Sequence, residues 1–244
     1  MKGVDLEGIR VISCDVFDTL LRRNATAEPG RVRHVAERAA AMLLRERGLL
    51  VSKEALWRAR RNVQHLAYRA LDMADPTGEV TFDALVQGMA LSLGFGPAEA
   101  QVLARAEIEV ERTQLAPNTS LLTWLTRRAS EGIRIIAVSD TWHTAATIRG
   151  LLDDLAEGHP IAKVYTSADL GATKRTAAIF PKVADAEKVP AGAFLHIGDD
   201  AQADERMARS AGLRPHRIFP PRLVILERRL DAARARLARK MPER

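Results

Sequence analysis

The sequence predicts an α/β protein: a doubly wound parallel sheet interrupted, after its first strand, by an all-α insertion. Three observations carry this. From Pro117 onward, helical patterns alternate with short apolar β-rich runs, the signature of βαβ units. The run from Arg10 to Cys14 is a further strand of the same kind, ending on a carboxylate, Asp15. Between the two lies a segment of about residues 24–116 whose apolar residues keep helical spacing throughout.

In chain order, Val32, Val35, Ala36, Ala39 and Leu43 define a first helix that Gly48 stops. Ser52 opens a second, carrying Leu56, Val63, Leu66, Ala67 and Leu71, which ends at the turn signal Asp75-Pro76-Thr77-Gly78. Thr81 caps a third helix with Phe82, Leu85, Val86 and Met89 on its apolar face. Gly94–Gly96 breaks it, and Pro97 suits the first turn of a fourth helix reaching Gln114. A helix capped by Asn118 or Thr119 then runs to Ser130, and a strand over 133–138 ends on Ser139-Asp140. There follow a helix over 143–155, a strand Lys163–Thr166, a helix over 174–187 and a strand Ala193–Ile197 closed by Gly198-Asp199-Asp200. Another helix reaches Ala211, and His216–Phe219 makes a last strand. The expected organisation is a discontinuous α/β core over 1–22 and 117–221, a four-helix insertion over 23–116, and a C-terminal helix over 222–244.

Apolar residues make up 47% of the 244 and charged residues 28%, an ordinary balance for a globular protein in water. No apolar run approaches the ~20 residues of a membrane span. The opening MKGVDLEGIR lacks the hydrophobic segment of a signal peptide. A single cysteine, Cys14, excludes an internal disulfide and fits a reducing, cytoplasmic setting; its place in the first strand marks it as core. The net charge of +6 is concentrated between Arg222 and Arg244, with eight Lys/Arg against three Asp/Glu. The rest of the chain is close to neutral, which argues against a nucleic-acid-binding domain. In the last helix Leu223, Leu226, Leu230, Ala233 and Leu237 form an apolar face opposite an Arg-rich one. That face packs within the molecule, or serves a homodimer, an acidic protein partner or a membrane surface.

Three expected strand ends carry polar groups: Asp15, Ser139 and Asp199. In a parallel sheet they share one edge, the edge where open α/β sheets bind ligands. Lys174, placed at the start of the helix over 174–187, faces the same edge. Two carboxylates, a hydroxyl and an ammonium suit phosphoryl transfer to a carboxylate nucleophile. Mg²⁺ can bridge such carboxylates to a phosphate, while Ser139 and Lys174 neutralise and orient its oxygens.

The order D-x-F-D-T-L from Asp15, V-S-D ending at Asp140, T-K at Thr173-Lys174 and H-I-G-D-D from His196, with Asp204 beyond, resembles the haloacid dehalogenase (HAD) superfamily. The resemblance covers all but the last ~25 residues, and the insertion is similar to the superfamily's helical cap. The phrases DVFDTLLRR, VSDTW, LGATKRTAAIF and HIGDDAQAD resemble a bacterial group of HAD-like hydrolases associated with glycosyltransferases of surface polysaccharide synthesis. The resemblance implies that Asp15 is the nucleophile and first magnesium ligand, and that Phe17 lends the metal its backbone carbonyl. Thr19 falls where the family places a turn-stabilising threonine, and is grouped with Ser139 and Lys174 at the phosphate. Asp199 completes the metal site with Asp204, directly or through water; Asp200 beside it leaves the direct ligand open. The cap would close over the strand ends and select the substrate.

One position departs from the family's phosphatases, which place an acid/base aspartate two residues after the nucleophile. Here that residue is Phe17, and the aspartate comes one later, at Asp18, either as a displaced acid/base or as a cap of the turn. The expected function is therefore a Mg²⁺-dependent phosphatase of a small phosphorylated metabolite or phosphosugar. A 2-haloacid dehalogenase is one alternative, and a catalytically weak module binding phosphate or a partner in polysaccharide assembly is the other. His196 is expected in the core, and Trp142 and His143 at the pocket or in helix-start packing.

Overall fold

A computed structural model describes residues 3–238. Five strands form a parallel sheet in the order β5-β4-β1-β6-β7: β1 (Val11–Cys14), β4 (Arg134–Ser139), β5 (Lys163–Thr166), β6 (Phe194–Gly198) and β7 (Arg214–Arg217). The central strands are apolar without alternation because both of their faces are covered: every residue of β1 and β6 is buried, and all of β4 after Arg134. From β1 the chain steps outward through β4 to β5, then returns to the other side of β1 for β6 and β7. Right-handed crossovers in opposite directions place their helices on opposite faces. β1 thus lies at the reversal of strand order, where a parallel sheet opens a ligand crevice. Val11, Ile136, Val138, Phe180 and Phe194 belong to one apolar cluster of this sheet and its helices.

Two short strands, β2 (Leu21–Arg23) and β3 (Leu115–Pro117), form a separate two-stranded sheet that the apolar pattern does not announce. They are three residues each, too short to carry a period. The helices α1 (Glu28–Arg47), α2 (Lys53–Ala74), α3 (Phe82–Leu93) and α4 (Pro97–Thr113) match the four of the insertion. Gly48 ends α1 in the left-handed conformation (φ 65°), with its N–H on the Leu44 carbonyl, as a C-terminal glycine should. Met42, Leu43, Leu56, Val86, Met89 and Leu103 form a second apolar cluster among these helices.

The chain divides into two compact units. One contains the sheet with the chain up to Arg22, Leu71–Thr81 and Ala116–Pro220; the other contains Arg23–Ala70, Phe82–Leu115 and the chain from Pro221. The α2–α3 turn therefore groups with the sheet. The final helix, α10 (Arg222–Ala238), groups with the other helices; positions 239–244 of the expected C-terminal helix lie outside the described residues. α10 is held by polar contacts: Asp231 accepts from the Ala27 N–H (2.9 Å), and Arg228 donates to the Asn24 carbonyl (2.9 Å). Leu223, Leu226 and Leu230 are 66%, 53% and 51% exposed, so among the alternatives for this face packing within the molecule does not hold for them.

The remaining helices are α5 (Thr119–Ser130), α6 (Ala145–Leu155), the short α7 (Ser167–Leu170), α8 (Ile179–Glu187) and α9 (Ala208–Ser210). Three differences from the expected elements bear on the site. Lys174 is not at a helix start; it lies on the irregular segment 171–178 that precedes α8. Ala177 sits at φ 62°, a left-handed conformation that an α-helix through 174–178 cannot contain. The helix after β6 begins as a π-helix, Ala201–Met207, before continuing as α9. The last strand is Arg214–Arg217 rather than His216–Phe219.

In the helical unit Arg60 donates to both Glu107 oxygens (2.8 and 2.7 Å), and the side chains are only 3% and 9% exposed. Removing one partner leaves the other charge buried and unpaired, a cost of about 3–5 kcal/mol. Arg60→Ala should therefore lower unfolding stability by that amount in urea titration; a change under ~1 kcal/mol would show that water reaches the pair.

Candidate active site

The sheet delivers the site residues from three strand ends. Asp15 follows β1, and its N–H still donates to the Ile197 carbonyl (2.8 Å), so the carboxylate stands where the ladder stops. Past it the chain folds into a tight turn: Leu21 N–H donates to the Val16 carbonyl (2.8 Å) and Asp18 N–H to the Leu21 carbonyl (2.7 Å). Asp18 occupies φ 60°. Aspartate tolerates this conformation better than most residues because its short polar side chain compensates locally. Asn118 anchors the turn from outside, its side-chain amide donating to the Thr19 carbonyl (2.9 Å). Asp18 also lines a cleft of about 150 Å³ together with Arg22, Asn118, Ser120, Ile218 and Phe219.

Lys174 lies at the centre. Its ammonium donates to Asp15 Oδ1 (2.6 Å) and to Asp204 Oδ1 (2.5 Å), and the lysine is 3% exposed. Burial alone would discharge it, but Asp15, Asp204 and Asp140 outweigh burial and hold its pKa above the usual lysine value. For Asp204 the balance is similar: burial pushes its pKa up, while Lys174 and His196 pull it further down, below the ordinary carboxylate range. Asp15 goes the other way. Burial and the neighbouring Asp204 charge push it up to about 7 despite the pull of Lys174. Burial, Asp18 and Asp204 push Asp199 up to about 6.

Carboxylate oxygens of Asp15, Asp199 and Asp204 lie within 4.8 Å of one another. Three carboxylates face one ammonium, so negative charge remains in surplus, and the donors are all hard oxygens. That set fits Mg²⁺. Ser139 and Thr19 are completely buried, and Ser139 Oγ and Thr19 Oγ1 have no hydrogen-bond partner among the described residues. Buried hydroxyls are seldom left so.

Four neighbours of the site do more than their sequence positions announce. Asp140, at the end of the V-S-D motif, accepts from the backbone N–H groups of Lys174 (2.6 Å) and Arg175 (3.2 Å), and so fixes the lysine's segment. His196, expected as plain core, is buried but hydrogen-bonded at both nitrogens: Nδ1 to Ser13 Oγ (2.8 Å) and Nε2 to Asp204 Oδ1 (3.2 Å). An ionised Asp204 only accepts, so Nε2 carries the proton and Nδ1 accepts from the Ser13 hydroxyl. Burial holds the imidazole neutral by lowering its pKa. Gly198 is required for a steric reason: a Cβ there would overlap the Asp204 side chain. Asp200 has a different task, its carboxylate accepting from Gln202 N–H and Ala203 N–H (both 2.7 Å) to cap the π-helix that carries Asp204. Its own N–H donates to Asp204 Oδ2 (3.0 Å). Cys14 is fully buried as expected, and burial pushes its thiol well above the usual range.

No protein-family profile and no curated protein matches the chain. Solved structures do. A 2-haloacid dehalogenase from Pseudomonas syringae pv. tomato DC3000 is similar over 84% of both chains, with 24% identity and a TM-score of 0.55. The chain has the haloacid dehalogenase fold. A HAD family enzyme from Bacteroides thetaiotaomicron, in complex with magnesium and inorganic phosphate, is similar at 13% identity over 87% of this chain and 95% of that one, with a TM-score of 0.54. The HAD fold thus appears in a dehalogenase and in a protein that holds magnesium and phosphate.

Two outcomes follow. Gly198→Ala should displace Asp204; were the three carboxylates to hold Mg²⁺, its affinity in calorimetry would fall about 10- to 100-fold, and an unchanged affinity would exclude Asp204 as a ligand. The raised pKa of Asp15 means that the folded state holds a proton which the unfolded state releases at lower pH. Its contribution to stability is therefore lost as pH rises from about 4 to about 7. Without divalent cations, the change in melting temperature caused by Asp15→Asn should be more favourable at pH 8 than at pH 5, whatever its sign from the loss of the Lys174 pairing; an equal shift at both would contradict the raised pKa.

Proposed function

We propose that the protein is a Mg²⁺-dependent phosphatase acting on a small phosphorylated metabolite or phosphosugar, through an aspartyl-phosphate at Asp15. The observation that carries this reading is the pair of buried, unpartnered hydroxyls, Thr19 in the turn after Asp15 and Ser139 at the end of β4, next to the Asp140 that holds the Lys174 amide. A phosphoryl group brings acceptor oxygens that two such hydroxyls and an ammonium would satisfy. Asp15, Asp199 and Asp204, with the backbone carbonyl of Phe17, would hold Mg²⁺, which when bound neutralises charge between carboxylate and phosphate.

In the first step an Asp15 carboxylate oxygen attacks phosphorus, the P–O bond to the leaving alcohol breaks, and the alkoxide takes a proton. Asp18 is the proposed donor: it borders the cleft beside the turn and lies near enough to Asp199 to raise that residue's pKa. In the second step water attacks phosphorus, the Asp15 O–P bond breaks, Asp18 takes the proton, and phosphate leaves. Lys174 keeps Asp15 in place and balances charge through both steps.

Phe17 and the Lys174–Asp15 contact favour a second reading, a 2-haloacid dehalogenase in which Asp15 displaces halide and no separate acid is needed. A third is a catalytically weak module that binds phosphate or a partner in polysaccharide assembly. A screen of phosphomonoesters and 2-haloacids, with and without Mg²⁺, separates the three. The phosphatase reading predicts Mg²⁺-dependent release of phosphate that Asp15→Asn abolishes. Asp18→Asn, which still tolerates the left-handed turn, should slow it by about 10²–10⁴. Chelator-resistant halide release would establish the dehalogenase, and no turnover of either class would leave the binding module.

A further inference from the structure

We infer that the turn between α2 and α3 is a positioning element for Lys174, with Glu79 as its principal side chain. The turn is internally braced. Asp75 Oδ1 accepts from Thr77 N–H (3.1 Å) and from Thr77 Oγ1 (2.7 Å), and Gly78 N–H donates to the Asp75 carbonyl (3.1 Å). So braced, it presents the Thr77 carbonyl to the backbone N–H of Thr173 (3.1 Å), the residue before Lys174.

Glu79 reaches the residue after it. Its side chain is only 3% exposed, Oε1 accepts from the Val80 N–H (3.0 Å), and Oε2 lies 3.7 Å from Arg175 Nη2. Oε2 also accepts from Ser167 Oγ (3.0 Å). Ser167 Oγ in turn accepts from Thr141 N–H (2.8 Å), two residues past Ser139. One carboxylate thus ties the chain after Lys174 to the chain after β4. Burying a carboxylate is costly unless it is paired and hydrogen-bonded, and a purely packing role would be served by an apolar side chain.

The need for such a clamp follows from where Lys174 lies. The ammonium must hold two carboxylates at 2.6 and 2.5 Å, yet its backbone is on the irregular segment 171–178. A long side chain on an unsupported loop would lose that geometry to its own entropy. Asp140 holds the Lys174 and Arg175 amides from the strand end. The 77–79 turn holds Thr173 and Arg175 from the other direction, so three successive residues are fixed.

The inference rests on the reading of Lys174 as part of the phosphoryl-binding site, and its test is chosen to be independent of turnover. Amide hydrogen exchange is measured segment by segment on the full chain for wild type, Glu79→Ala and Glu79→Gln. Binding of inorganic phosphate with Mg²⁺ is measured by calorimetry in parallel. Glu79→Ala should speed exchange in 171–178 by about two- to fivefold, the loss of a half-exposed ion pair with Arg175. Exchange in β1, β4 and β6 should stay unchanged, and phosphate binding should weaken. Glu79→Gln keeps an acceptor for Ser167 but drops the charge facing Arg175, and should fall between the two; it carries the test if the alanine variant does not fold. Unchanged exchange in 171–178 would overturn the inference. So would acceleration spread evenly over all strands, which marks a general structural role. Absence of phosphatase activity in the wild type would sink the functional reading and leave the exchange result standing.

Discussion

The site depends on one ammonium buried between two carboxylates. Lys174 lies within hydrogen-bonding distance of Asp15 and Asp204, which come from opposite ends of the sequence. Neither acid could stay ionised in so dry a place without it, and it could not stay charged without them. The surrounding structure supports that arrangement. Asp204 is brought in by a π-helix, whose wider turn is a common device at functional sites. Gly198 leaves room for its side chain, and His196 and the Asp200 N–H fix its two oxygens.

The same arrangement explains why the two carboxylates differ. Asp204 takes bonds from Lys174, His196 and a backbone amide, and stays ionised well below the ordinary range. The Asp15 carboxylate has only the lysine among its described hydrogen bonds, and its charge is penalised by burial and by Asp204. A carboxylate held in an unfavourable charged state has much to gain from a bond to an electrophile or from a cation nearby. Such tuning of paired acids apart from one another is how sites assign different roles to like groups.

Much of this was legible in the sequence. The parallel sheet followed from apolar runs that end on Asp15, Ser139 and Asp199, and the motif order placed Lys174 and Asp204 with them. What escaped was whatever depends on tertiary contact. Lys174 has neighbours of good helical propensity, but its segment is irregular because Asp140 and the Thr77 carbonyl take the amides of residues 173–175. His196 sits among Phe194, Leu195 and Ile197 and reads as core until Ser13 and Asp204 are seen at its two nitrogens. Glu79 falls in a turn between two helices, with nothing local in the sequence to connect it to a strand end about 60 residues further on. The leucines of α10 left several roles open in the sequence, and the structure narrows them: the leucines are exposed, while contacts that fix the helix run through Arg228 and Asp231.

The central claim is that Asp15 carries a phosphoryl group whose bond to the carboxylate is cleaved at phosphorus. One measurement tests it directly: turnover of the best phosphomonoester substrate under single-turnover conditions in water enriched in heavy oxygen, followed by mass analysis of both the released phosphate and the peptide containing Asp15. Attack of water at phosphorus places the label in phosphate and leaves Asp15 unlabelled, which is the result expected. Label in the Asp15 carboxylate would mean that water attacks the carboxyl carbon of an ester, as an alkylated aspartate requires, and would contradict the account.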